Sequence, residues 1–250
     1  MGAKIVRLSQ IANPTIDQVF KELLAEQRKR LKPQTQKKYE DVIELLQLHL
    51  NSYAYEGLSE AESALFDSCF NAEAKDHREF CQLFGPEKII ENLSSFLGFF
   101  MIRKVIAGED LKRRAGTVTK KLSKWLAEKG YISQESGLEG VEEGAEAARD
   151  LPRAERAAQI PLEAVDELVV DPRDLDDEGY LDFDHYTIAK VEPGKLWLKV
   201  FKGGGHRTLG PIPTPKRATE LLRRGWDISC ALGRMRGQWR IVEVANVYPK

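Results

Sequence analysis

SQESGLEGVEEGAEAARD, residues 133–150, decides how the rest of the chain divides. It is rich in Glu, Ala and Gly and carries few large apolar side chains, so burial cannot easily offset the entropy of ordering it. The same acidic character continues to Gly179. Composition therefore predicts an acidic, largely flexible linker over 133–179, with transient helix over Glu142–Ala158, and a separate module on either side. A chain of 250 residues is long enough for two cores.

Upstream of that stretch the apolar residues recur at three- and four-residue steps. Asn13-Pro14 reads as cap and first helical residue, followed by Ile16, Val19, Phe20, Leu23 and Leu24 on one face. Pro33 opens a second helix marked by Tyr39, Val42, Ile43, Leu46 and Leu50. Further helical patterns surround Leu65–Phe70 and Ile89–Phe100. A last one runs from Asp110 to Lys129, with Gly116 as a break or kink and Gly130 as its stop. Residues 1–132 are thus expected to be an all-helical bundle.

Downstream of Gly179 the period shortens. Tyr186–Val191, Leu196–Phe201, Arg207–Ile212, Trp226–Leu232 and Trp239–Val247 read as strands, and Pro215–Leu222 as a short helix between the third and fourth. That order is the one found in an OB-type barrel, although other small five-stranded barrels share it. The expected fold is α+β in two domains: the helical bundle, then a small five-stranded β barrel over 180–250 with one short helix.

Composition sets further bounds. The apolar run Ile89–Ile106 is interrupted by Glu91, Asn92, Arg103 and Lys104 and is too short to span a bilayer, so no membrane partner is expected. Three sparse cysteines and no recognisable secretory leader point to a reducing, cytoplasmic setting. The formal charge of −1 conceals three segments. There are 21 basic against 18 acidic residues over 1–132, 4 against 15 over 133–179, and 13 against 6 over 180–250. Such asymmetry bears on partners rather than on fold.

The basic residues are the candidate site. Lys37 and Lys38 lie in the early turns of the second helix, where the macrodipole disfavours cations and a phosphate would relieve the conflict. Lys112, Arg113, Arg114, Lys120, Lys121 and Lys124 load the last helix of the bundle with positive charge opposite its apolar stripe. Lys202 and Arg207 flank the glycines of a β hairpin, in a module where cations alternate with Tyr186, Trp197, Phe201, Trp226 and Trp239. A solvated surface is the ordinary alternative for each set, and most of those aromatics are expected inside.

"LKPQTQKKYEDVIELLQLHL" together with "GTVTKKLSKWLAEKGYI" resembles the helical core-binding domain of tyrosine recombinases, the phage integrases. Thr35 and Tyr39 match the first element. Thr119, Lys120, Leu122, Trp125, Leu126 and Gly130 match the second, a Thr-initiated basic helix ending before Gly. The resemblance loosely covers 15–132 and implies a bundle that clasps DNA through its backbone, with Lys37, Lys38, Lys120, Lys121 and Lys124 transferable.

The family's chemistry is not carried. His185 and His206 have no Arg three positions on, no activating Arg precedes the hairpin that bears Lys202, and the C-terminal module is too short for the catalytic domain. Cys69, His77 and Cys81 supply too few ligands for a structural zinc site, so no metal or cofactor is expected. The sequence reads as a non-enzymatic DNA-binding or nucleoprotein accessory protein that contacts the phosphate backbone, most simply of a duplex. The alternative is a protein-interaction adaptor whose acidic linker regulates it. Oligomeric state is left open.

Overall fold

The computed structural model describes residues 11–166, 179–202 and 204–250, with only the backbone at 164–166 and 202. The chain forms two compact units, Met1–Phe100 with Arg114–Glu146, and Met101–Arg113 with Ala147–Lys250. Among the described residues no helix is long and apolar enough to cross a membrane.

The first unit opens with α1 (Ile16–Arg30). It begins two residues after the expected Asn13-Pro14 start, because Thr15 and Gln18 form a capping box that satisfies the first-turn donors. Helix α2 (Pro33–Tyr53) starts at Pro33, as the sequence indicates. Its Val42, Ile43, Leu46 and Leu50 bury against the Ile16, Val19, Phe20 and Leu23 face of α1. Helix α3 (Glu60–Phe70) follows, capped by a Ser59–Glu62 box. The expected single helix over Ile89–Phe100 is instead broken into α4 (Glu87–Glu91), α5 (Leu93–Ser95) and a π-helical turn over Phe96–Phe100.

Helix α7 (Glu109–Glu128), preceded by α6 (Met101–Arg103), is continuous through Gly116, contrary to the expected break. It ends at Gly130 (φ 74°), where Tyr131 N–H donates to the Leu126 carbonyl and Gly130 N–H to that of Ala127. These two bonds are a Schellman closure.

The stretch expected to be a flexible linker is α8 (Gln134–Asp166), a helix of 33 residues capped by Ser133. The rest of the expected linker, 167–178, lies outside the described residues. The missing large apolar side chains are the reason this helix can form where it does. Gly137, Gly140 and Gly144 face α7, and a Cβ on them would lie 2.5 Å from the Ala127 Cβ, 2.4 Å from the Ser123 Oγ and 2.5 Å from the Lys120 backbone nitrogen. The two helix backbones thus approach more closely than any side chain on α8 would allow, and burial is gained by contact rather than by bulk.

In the second unit β1 (Tyr180–Glu192), β2 (Lys195–Lys202), β3 (Gly205–Pro213), β4 (Asp227–Met235) and β5 (Gln238–Tyr248) form one antiparallel sheet in the order β3-β2-β1-β4-β5. The short helix α9 (Lys216–Thr219) joins β3 to β4. The edge strands β3 and β5 touch although no hydrogen-bonded ladder joins them. Strands lie about 4.8 Å apart, so the opposite ends of a five-stranded sheet meet only if the sheet curls. The observed form is a curled five-stranded sheet, and the closure that the expected barrel requires is not seen among the described residues. Its core combines Ile188, Leu198, Ile212, Trp226 and Ile228 with Ala154, Ala157 and Ala158 of α8.

Two consequences can be measured. Gly144→Val pushes side-chain atoms into the α7 backbone and is expected to cost about 2–4 kcal/mol, read as a fall in melting temperature. Gly98→Ala, with open space around the new methyl, changes stability by less than about 0.5 kcal/mol. His49 is fully buried among Tyr53, Phe96 and Phe100, and among the described residues its ring nitrogens have no hydrogen bond of full geometry, only a weak one with the Asn92 backbone. Burial lowers its pKa to about 4, only partly opposed by the Asn92 backbone. The unfolded chain takes up this proton near the ordinary histidine value while the folded one does not. Stability is therefore complete above about pH 6.5 and falls on the order of 3 kcal/mol towards pH 4. His49→Phe should flatten chemical-denaturation stability across that window. Glu62, held down to about 2 chiefly by hydrogen bonds from Ser59, acts only below about pH 4.5.

Candidate nucleic-acid interface

Helix α7 advances about 100° per residue, which sets Arg113, Thr117, Lys120, Lys121 and Lys124 within an arc of about 100°. All five are exposed, while Ala115, Val118, Leu122 and Leu126 are buried. The stripe expected from the sequence is therefore present and faces solvent.

Lys112 departs from it. Its side chain is buried and ion-paired with Glu155 of α8, so it belongs to the interior of the second unit and not to the basic face. Its spacing from Ala115 and Thr119, three and seven residues, places it on the buried stripe, and that signal is legible in the sequence. Thr119, which the recombinase resemblance puts at a helix start, lies inside α7. It is fully buried, with its hydroxyl donating to the Ala115 and Gly116 carbonyls. That correspondence with the family pattern is lost, whereas Thr35 does sit in the first turn of α2.

The structure joins α7 to α2 at this surface. Lys121 Nζ lies 5.5 Å from the centroid of the Tyr39 ring, and Tyr39 itself is buried. Asp41 accepts from Lys37 at 3.2 Å and lies 3.8 Å from Arg114. Two basic sets some eighty residues apart in sequence thus meet across one aromatic ring and one carboxylate. Neither Tyr39 as a cation platform nor Asp41 as a bridge is evident from spacing alone, since each contact spans two helices.

Charge on this face is only partly neutralised. Hydrogen bonding to Asp41 raises the Lys37 pKa, and Lys124 lies 3.6 Å from Glu128. Among the described residues Lys38 and Lys120 have no acidic partner, and both are exposed. Exposed ion pairs of this kind stabilise a fold by at most about 1 kcal/mol, so they are readily exchanged for a phosphate. Lys129, nearby in sequence, is committed elsewhere: it binds Glu22 and Glu26 of α1, which raises its pKa, while Trp125 Nε1 donates to Glu26 at 2.9 Å.

The remaining candidates lie in the second unit. Lys202 ends β2 opposite Gly205, and Arg207 is exposed on β3 opposite Val200. Arg113 is the last residue of its segment in that unit, while Arg114 belongs to the first. The nine candidate residues are therefore divided between the two units, with α7 running from one into the other.

No group of three or more His, Cys, Asp or Glu side chains is placed to hold a metal ion among the described residues. Cys69 and Cys81 are buried thiols, and His77 Nδ1 lies 2.7 Å from the Phe70 carbonyl. Comparison with known proteins finds no matching family model, curated protein or solved structure.

Asp41 supplies a test of the face. Asp41→Asn removes the carboxylate that holds Lys37 and Arg114, and is expected to tighten binding of a labelled DNA duplex severalfold in fluorescence anisotropy. An unchanged or weaker affinity would place the ligand elsewhere.

Proposed function

We propose that this chain is a DNA-binding or nucleoprotein accessory protein that grips the phosphate backbone of a duplex with the joined α2–α7 face. One observation carries the reading: the Lys121–Tyr39 contact, with Asp41 between Lys37 and Arg114, merges two basic segments into one surface. Arg114 to Lys124 extends about 15 Å along a single helix, a length over which a duplex presents about nine phosphate charges. Such contacts position a protein without reading sequence, so binding should be salt-sensitive and weakly selective. The recombinase resemblance points the same way through Lys37, Lys38, Lys120, Lys121 and Lys124.

The adaptor alternative relied on a free acidic arm. Over Gln134–Asp166 that arm is a helix, and its glycines are committed to α7. The acidic residues there are not at liberty to fold over the basic face, which favours the nucleic-acid reading.

With the full chain and a labelled duplex of roughly 20 base pairs, log affinity against log salt should fall with a slope on the order of −4. Lys120→Glu combined with Lys121→Glu should weaken binding at least about tenfold at low salt and reduce the slope by about 2. Binding unaffected by that pair, or insensitive to salt, would end the proposal.

A further inference from the structure

We propose that the outer face of the β2–β3 hairpin is a second nucleic-acid site, one that takes single strands. There Phe201 and His206 stack on unpaired bases while Lys199 meets the phosphates. This goes beyond the duplex reading and does not depend on it, since the residues belong to the other compact unit.

Strand alternation fixes the face. Leu196, Leu198 and Val200 of β2 are buried, which turns Lys199 and Phe201 outward. The register sets Phe201 opposite His206 and Lys199 opposite Thr208, so an aromatic pair and a cation share one surface. Phe201 is 65% exposed, the most exposed Phe, Tyr or Trp among the described residues. Its ring meets that of His206 at 5.4 Å and 70°, an edge-to-face rather than a stacked contact.

Trp197, two positions back in the same outer row as Lys199, shows what a committed aromatic looks like here. Lys190 Nζ lies 4.7 Å from its ring centroid, and the backbone of Gly210 (φ 155°) presses on it so closely that a Cβ would lie 2.4 Å from Cδ1. Trp197 is thus occupied by its own fold, and Phe201 is not.

Charge decides the class of occupant. On this face Lys199 is exposed and has no acidic partner among the described residues, and 180–250 holds 13 basic against 6 acidic residues. A single open ring beside a cation offers a hydrophobic protein partner too little apolar area, but it suits a polyanion with flat bases. In a duplex the bases are already paired and stacked, so only a single strand can present one to Phe201.

The test uses the full chain and a labelled oligothymidylate of roughly 16 nucleotides, within the span such surfaces cover. Phe201→Ala with His206→Ala should weaken its binding about tenfold and leave duplex affinity unchanged, whereas Phe201→Trp should retain it. Lys120→Glu with Lys121→Glu should leave single-strand binding in place. The proposal fails if oligothymidylate does not bind or if the alanine pair has no effect. It fails equally if polyglutamate of the same charge competes as well as the oligonucleotide, for then bases are not being read. Loss of duplex binding alone would instead count only against the α2–α7 face.

Discussion

The close approach of α7 and α8 is the contact on which the first unit rests. It is made possible by atoms that are not there: at Gly137, Gly140 and Gly144 a single methyl group would collide with Ala127, Ser123 or the Lys120 backbone. Helix α7 also bends no rules of its own to take part. Thr119 and Ser123 return their hydroxyls to carbonyls one turn back, so no buried polar group is stranded at the seam. With its other buried residues turned to the rest of the bundle, α7 is left with one face for solvent, and that face is where its lysines are.

The same contact explains which parts of the fold were legible in the sequence. Patterns that act through bulk match the structure in most places, the broken helix over Ile89–Phe100 being an exception. The Ile16–Leu23 and Val42–Leu50 faces, the Pro33 start, the Gly130 stop and all five strands stand where periodicity and turn chemistry put them. What failed was a helix that packs through smallness. Few large apolar side chains over 133–150 leave little burial to offset the entropy of ordering, and glycine costs a helix about 1 kcal/mol per residue besides, so only a partner helix reverses that balance. The spacing of Gly137, Gly140 and Gly144, three and then four residues, is a helical stripe, but without α7 it is indistinguishable from a linker.

The candidate surface was legible to a similar depth and for a similar reason. A basic stripe on one helix follows from period alone, and Arg113, Lys120, Lys121 and Lys124 are exposed as read. Lys112 is lost to a buried pair with Glu155, a partner 43 residues away that no local pattern announces. Tyr39 likewise reads as one more apolar position of α2. Its role as the ring beneath Lys121 exists only once two helices are side by side.

The acidic residues of α8 acquire a different meaning once that helix is fixed. Glu135, Glu139, Glu142 and Glu146 are exposed and fall within an arc of about 60°, roughly opposite the three glycines. They therefore point away from α7, while the α7 lysines lie about a quarter-turn from the seam. Negative charge placed that way does not cover the basic face. It gives the α7–α8 pair one positive side and one negative side, and a charged partner of either sign would meet a different field on each. The glycine seam, by fixing how α8 is turned against α7, is what holds these two charged sides apart.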